Sequence, residues 1–377
     1  MKRRLPVILA IVLALVLALP IVASAKGQVA EKEVDQARRV AQAWVDRFAV
    51  TGPKLSEWDG AHLTSPQLYY NPKGELTAYM FSIEKNGKTV GHILVGSSAY
   101  GYPIFEGGET FPFSVPSASE VSGILEKELG LQIPEESIGE PMLLLLDLFQ
   151  GFYVTYKLEG KIVGINLITG DVFKASNLEE LKTLVPSPEE YKAAKRGRVG
   201  ILACPGWGEI YHADDMEYYC ENNRCWCGPC SGVSIGAWYR DYGGHGGLHQ
   251  DKDTMYDRLK IYMGTTSEGI TWPWNYGPGF VNYAYYDCGE FFNWDYRYTF
   301  GNIVFDINNN WPVALCGALY EPGYGKKKWH WVAIKAYWWC DPDRLIFCTD
   351  SAAEQNWRCF DWDAIEDDVV ALIRIQG

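Results

Sequence analysis

Apolar and polar positions along the chain fall into two periods. Val34, Ala37, Val40, Ala41, Trp44 and Val45 recur three and four residues apart with charges between them, which predicts a helix with one buried face. The pattern then becomes strand-like. Leu76 to Ile83 and Val90 to Val95 flank Lys85-Asn86-Gly87-Lys88, and Asn-Gly is a strong hairpin turn. The same order returns further on. A helix is expected near Ala118 to Leu129, and the short run Leu143 to Leu148 reads as a strand. Phe152 to Leu158 and Ile162 to Leu167 then flank Glu159-Gly160, with a further turn at Thr169-Gly170-Asp171. Residues 26–185 therefore predict an α+β region, divisible into 26–115 and 116–185.

Two stretches stand outside this pattern. Lys2-Arg3-Arg4 is followed by an almost unbroken apolar run from Leu5 to Val22 and by the small residues Ala23-Ser24-Ala25. Residues 1–25 thus read as a secretory signal cut before Lys26, and predict a secreted or cell-surface protein. The competing expectation is an uncleaved anchor, the one arrangement in which a membrane would be a partner. Residues 186–203 are polar, with Pro186, Pro188 and the basic cluster Lys195-Arg196-Gly197-Arg198. They predict an exposed linker, first a solvated tether and second a place for a proteolytic cut.

From residue 204 to 377 the character changes. All ten cysteines lie here, and of the fifteen tryptophans only Trp44 and Trp58 lie outside. The sharpest motif is Trp226-Cys227-Gly228-Pro229-Cys230. A Cys-x-x-Cys pair at a helix start does thiol–disulfide chemistry, so an oxidoreductase using Cys227 and Cys230 is one expectation. The polar residues 218–225 before it are unlike the buried strand that precedes such a motif in thioredoxins. The other expectation takes Cys227 alone as a nucleophile. Pro229 suits a first helical turn, and Ser231 to Arg240 continues as a helix closed by Gly243-Gly244. Gly232 and Gly236 leave room for a closely packed neighbour, and the helix N-terminus favours a thiolate at Cys227.

A thiol nucleophile needs a base. Of the six histidines, His330 opens the alternating run Trp329 to Tyr337, where it shares a face with Val332 and Ile334. A polar group on such a face is a candidate general base. His62 and His92 lie in the other half, and His212, His245 and His249 read as surface residues in glycine-rich or acidic loops.

Cys227-Gly228-Pro229, the small-residue helix after it and Trp238-Tyr239-Arg240-Asp241-Tyr242-Gly243-Gly244 together resemble the C39-like branch of papain-fold cysteine peptidases over residues 204–377. Cys230 stands where that group usually has Thr, and Lys335 where Gly is commoner before the Tyr. The resemblance implies an α+β papain-like fold, in which a helix carrying Cys packs on an antiparallel sheet carrying His and Asp. It implies peptide-bond hydrolysis by Cys227 with His330 as base, on a strand that follows Trp311-Pro312-Val313. It implies Asp350, at the end of Leu345 to Thr349, as the group that orients His330. Asp341 and Asp343 are the competitors, explained by a turn. Papain-like enzymes also place a Gln shortly before the nucleophile as oxyanion donor. No Gln precedes Cys227 at that distance, leaving Glu221, Asn222 and Asn223 as candidates; the neutral amides suit a developing negative charge better than the carboxylate does. Ala78 to Ile83 and Gly91 to Val95 are loosely similar to a streptopain-type prodomain, which implies a zymogen whose pro-region covers the groove.

Charge and composition narrow the classes further. A net charge of −13 with no Lys/Arg run longer than a few residues predicts no nucleic-acid partner. The expected partners are a peptide or protein substrate and the chain's own pro-region, and no cofactor or metal is expected. His212-Ala213-Asp214-Asp215 reads as a solvated acidic loop, and the aromatic stretch from Trp272 to Tyr286 as a packed loop or groove wall. Cys220 with Cys225 and Cys340 with Cys348 are the local disulfide candidates. A non-catalytic binding protein on the same fold is the third class of function.

Overall fold

A computed structural model describes residues 31–50, 55–109, 114–130, 132–158, 160–196, 206–220, 226–320, 327–340 and 343–377. The signal segment 1–25 and the oxyanion candidates Glu221, Asn222 and Asn223 lie outside these residues.

The first periodic stretch forms α1, residues 31–50, which buries Ala37, Ala41, Val45 and Phe48 along one stripe. Five strands follow: β1 (His62–Leu63), β2 (Gln67–Tyr70), β3 (Leu76–Lys85), β4 (Lys88–Gly96) and β5 (Ile104–Gly108). The β3–β4 hairpin turns on Asn86 and Gly87, at φ 53° and 74°, the left-handed conformation these two residues tolerate best. Then come α2 (Ala118–Leu129) and strands β6 (Met142–Leu145), β7 (Phe152–Leu158), β8 (Lys161–Asn166) and β9 (Val172–Ala175). Ser117 caps α2 reciprocally with Glu120.

The expected tether is largely ordered. Ser187 and Glu190 form the same reciprocal cap, and α3 (Pro188–Arg196) follows. Its Tyr191 is buried against the rings of Tyr100 and Phe105 and donates to Asp361. A Ser-Pro-Glu-Glu cap and one core aromatic therefore turn a polar stretch into a docked helix. Residues 197–203, with Arg198, lie outside the described residues.

Beyond them run β10 (Gly206–Glu209), α4 (Cys227–Asp241), α5 (Lys252–Tyr262), α6 (Pro273–Cys288), β11 (Asn293–Arg297), α7 (Phe300–Asn308), β12 (Val313–Tyr320), β13 (Lys327–Cys340), β14 (Asp343–Asp350), β15 (Gln355–Asp361), α8 (Trp362–Ile365) and β16 (Val369–Gln376). The aromatic stretch expected as a loop is α6, begun by Pro273 in its first turn. Its helical period sends Tyr276 and Tyr283 into the core and leaves Trp274, Tyr285 and Tyr286 exposed. The small residues of α4 do admit a neighbour: a Cβ on Gly236 would lie 2.7 Å from Met255 Sδ of α5.

The molecule is mixed α+β, built on one mostly antiparallel sheet. Its order is β11-β16-β12-β13-β14-β15-β5-β4-β3-β2-β6-β7-β8-β9, with β1 on β3 and β10 on β13. Among the described residues, only β2 and β6 pair in parallel. The sheet does not stop at the stretch between the two halves of the chain. β15 pairs with β5, Phe360 opposite Glu106 and Arg358 opposite Gly108. Helix α1 also crosses to the C-terminal half, where Trp44 meets Trp338 and Phe48 meets Phe347 edge to face. Among the described residues no helix is long and apolar enough to cross a membrane.

Cys220 and Cys340 are disulfide-bonded, whereas Cys227, Cys230, Cys288, Cys316, Cys348 and Cys359 are free thiols. The expected Cys340–Cys348 bridge is absent. In the β13–β14 register Cys340 faces Asp343 and Cys348 faces Ile334, so the two sulfurs stand far apart along the hairpin. Cys225 lies outside the described residues.

Candidate active site

Cys227 is the first residue of α4, and α4 packs against β13. Gly228 lets this helix start seat tightly, since a Cβ there would lie 2.3 Å from Thr271 Oγ1. The Cys227 thiol donates to the Trp329 carbonyl at 3.8 Å. The next residue on β13 is His330, buried, with Nε2 2.8 Å from Asp350 Oδ1 at the end of β14. Adjacent antiparallel strands thus carry His330 and Asp350, and the helix brings the thiol to them. Asp350 is the partner of His330; Asp343 instead accepts from Lys195, and Asp341 lies outside the described residues.

Burial alone would lower the pKa of His330. The Asp350 carboxylate outweighs it, by charge and by hydrogen bond, and Cys227 adds to the effect in the same two ways, so the imidazole is pushed up to about 10. Burial would raise the pKa of Asp350, but His330 and Arg358 overcome that and hold the carboxyl well below the usual range. The pair is therefore ionic at neutral pH, with Nε2–H donating to Asp350 and Nδ1 turned to the thiol side.

The other nitrogen of His330 has a partner that the sequence did not announce. The Gln150 amide lies 3.1 Å from Nδ1. It comes from the N-terminal half, on the turn after β6. The Asp147 carboxylate shapes this turn by accepting from the N–H groups of Phe149, Gln150 and Gly151 at 3.0, 2.8 and 2.9 Å. Phe149 lies over Gly317, the residue opposite His330 on β12, where a Cβ would come within 2.4 Å of its ring. A neutral imidazole accepts from the amide N–H at Nδ1; an imidazolium requires the amide to present its oxygen there.

Further buried groups extend the site. Arg358 of β15 donates to Asp350, to Glu106 of β5 at 2.9 Å and to the Leu148 carbonyl at 3.1 Å. Glu106 in turn meets His92 of β4 at 2.8 Å. These charges did carry a sequence signal, since each sits inside an apolar strand: Phe105-Glu106-Gly107 and Trp357-Arg358-Cys359. Lys335 is fully buried too; its ammonium donates to the Met216 carbonyl at 2.9 Å and lies 4.0 Å over the Trp357 ring.

The remaining histidines stay away from Cys227. His212 pairs with Asp215 and His245 with Glu290, each at 2.9 Å, while His249 bonds Tyr283 at 3.1 Å. His245 and His249 are half-buried, not the plain surface residues expected. Aromatic rings gather at Trp329, whose carbonyl accepts from the thiol. Trp272 stacks on Trp274 at 4.9 Å and meets Trp329 edge-on at 4.7 Å.

No protein-family model matches the chain, and neither does any curated protein.

Proposed function

We propose that this chain is a cysteine peptidase of papain-like fold, made as a secreted zymogen and acting through Cys227, His330 and Asp350. The observation that carries the reading is the buried His330–Asp350 ion pair beside a thiol that opens a helix. In this mechanism the Cys227 thiolate attacks the peptide carbonyl carbon and a C–S bond forms. His330 passes its Nδ1 proton to the leaving amine as the C–N bond breaks. Water then attacks the thioester carbonyl, giving one proton back to His330 as the C–S bond breaks, which releases the carboxylic acid product and regenerates the Cys227 thiolate beside the His330 imidazolium. The Cys227 backbone N–H, among those that a helix start leaves without an intrahelical acceptor, serves the oxyanion.

Gln150 supports the zymogen part of the reading. Its amide fills the Nδ1 side of His330, so turnover requires the 147–151 turn to withdraw. The region 26–185 is then a pro-region in the sense that it supplies the block.

The test is labelling by an epoxide thiol-protease inhibitor together with hydrolysis of a quenched-fluorescent peptide. Both are expected from the wild type and neither from Cys227→Ala. Cys230→Ser should leave both in place; loss of insulin reduction by that variant would instead favour a thiol–disulfide oxidoreductase. A folded wild type that neither labels nor cleaves would point to a non-catalytic binding protein.

A further inference from the structure

The buried polar groups described above form a line across the sheet. His92, Glu106, Arg358, Asp350 and His330 come one each from β4, β5, β15, β14 and β13, which are successive neighbours. All five side chains are buried, none more than 1 % exposed. The first two belong to the half that supplies the Gln150 block and the last three to the half that carries the thiol. Diagonal neighbours on adjacent strands lie within reach of long side chains, so the register itself sets each charge beside one of opposite sign. Arg358 is the junction. Its planar fork is divided between Glu106 through Nε and Asp350 through Nη1, with Nη2 on the Leu148 carbonyl.

We infer that Glu106 is a positioning residue for the catalytic histidine, acting through Arg358 on Asp350, and that the N-terminal half is therefore a working part of the active enzyme as well as the carrier of its block. The inference rests on the peptidase reading for the role of His330. Two carboxylates share one guanidinium here. While Glu106 takes up part of the Arg358 charge, Asp350 keeps enough of its own to hold the imidazolium. Without Glu106, Arg358 bears on Asp350 alone, and a buried cation is left undercompensated next to His330. The remaining contacts agree with this account. Burial would raise the pKa of Glu106, but His92 and Arg358 more than reverse that and keep it ionised.

The experiment follows the imidazole of His330 by NMR in full-length protein carrying 13C-labelled histidine, with His330→Asn assigning the resonance. Glu106→Gln is expected to lower the His330 pKa by about one unit, the scale of a neighbouring-charge effect. Glu106→Asp is expected to restore most of it. Glu106→Gln combined with Arg358→Met removes both charges and is expected to move the pKa upward from that of Glu106→Gln, to the wild-type value or above. This double variant also covers the case in which the single variant does not fold, because it removes the guanidinium that Glu106→Gln leaves undercompensated; its His330 pKa falling below wild type would then overturn the inference. A folded Glu106→Gln protein with an unmoved His330 titration would overturn it as well. Failure of the wild type to label at Cys227 is a separate result: it would sink the peptidase reading, while the histidine titration reports the positioning role on its own.

Discussion

Gln150 and His330 form the contact on which the proposed activity turns. Gln150→Gly removes one hydrogen bond from the histidine, worth about 1 kcal/mol. Alkylation of Cys227 by iodoacetamide is expected to speed up about fivefold, read from single-exponential labelling at neutral pH. The histidine also imposes a pH dependence on stability. Its folded pKa of about 10 lies above the ordinary 6.5, so its stabilising contribution is complete below about 6.5 and is lost as pH rises through about 10. Asp350 has the opposite sign: its folded pKa is depressed, and its contribution disappears in acid. Urea midpoints for wild type and His330→Asn should therefore differ most near neutrality and converge toward pH 10.5. Cys227 stood out in the sequence through its motif, His330 through an alternating run, and Asp350 only through the family resemblance; the fold brings the three together. Gln150 did not stand out, because a polar residue in a turn has no pattern of its own and only the tertiary fold carries it to His330. Glu106 and Arg358 lay between these cases, visible as charges in apolar strands but with no partner that spacing could name.

Elements were legible where hydrophobic period and caps agreed. The first hairpin and α2 follow their patterns closely, with Asn86-Gly87 at the turn and Ser117 at the cap. The stretch Trp272 to Tyr286 misled because aromatic residues fall on both faces of the helix and Gly277-Pro278-Gly279 interrupts it, which hides the period; only Pro273 and the spacing of Tyr276 from Tyr283 mark α6. The tight seating of these helices can be tested. A Cβ on Gly279 of α6 would lie 2.7 Å from Met263 Cα, just beyond α5, and main chain cannot turn aside as a flexible side chain does. Gly279→Ala is expected to cost about 1–3 kcal/mol by overpacking, measured as a lower urea midpoint with unchanged slope. Gly236 faces the sulfur of Met255 instead, so the same substitution there should cost less.

At the scale of the whole molecule, the boundary read from composition is real in the chain but not in the sheet. Cysteine and tryptophan content changes sharply beyond residue 203, yet β5 and β15 pair across it. No local pattern announces a pairing between strands so far apart in sequence. Expressed alone, the C-terminal half would present β15 as an unpaired edge with Arg358 stripped of Glu106. It is expected to aggregate, and co-expression with residues 26–196 is expected to return it to the soluble fraction, checked by light scattering. The same pairing governs the order of assembly. Glu106 precedes Arg358 by 252 residues, and closing so long a loop is slow for a free chain. The N-terminal half can form its own sheet first, and its edge then serves as the template on which the last strands of the C-terminal half settle. A strand pairing that joins two regions in the finished protein thus acts, during folding, as a built-in chaperone.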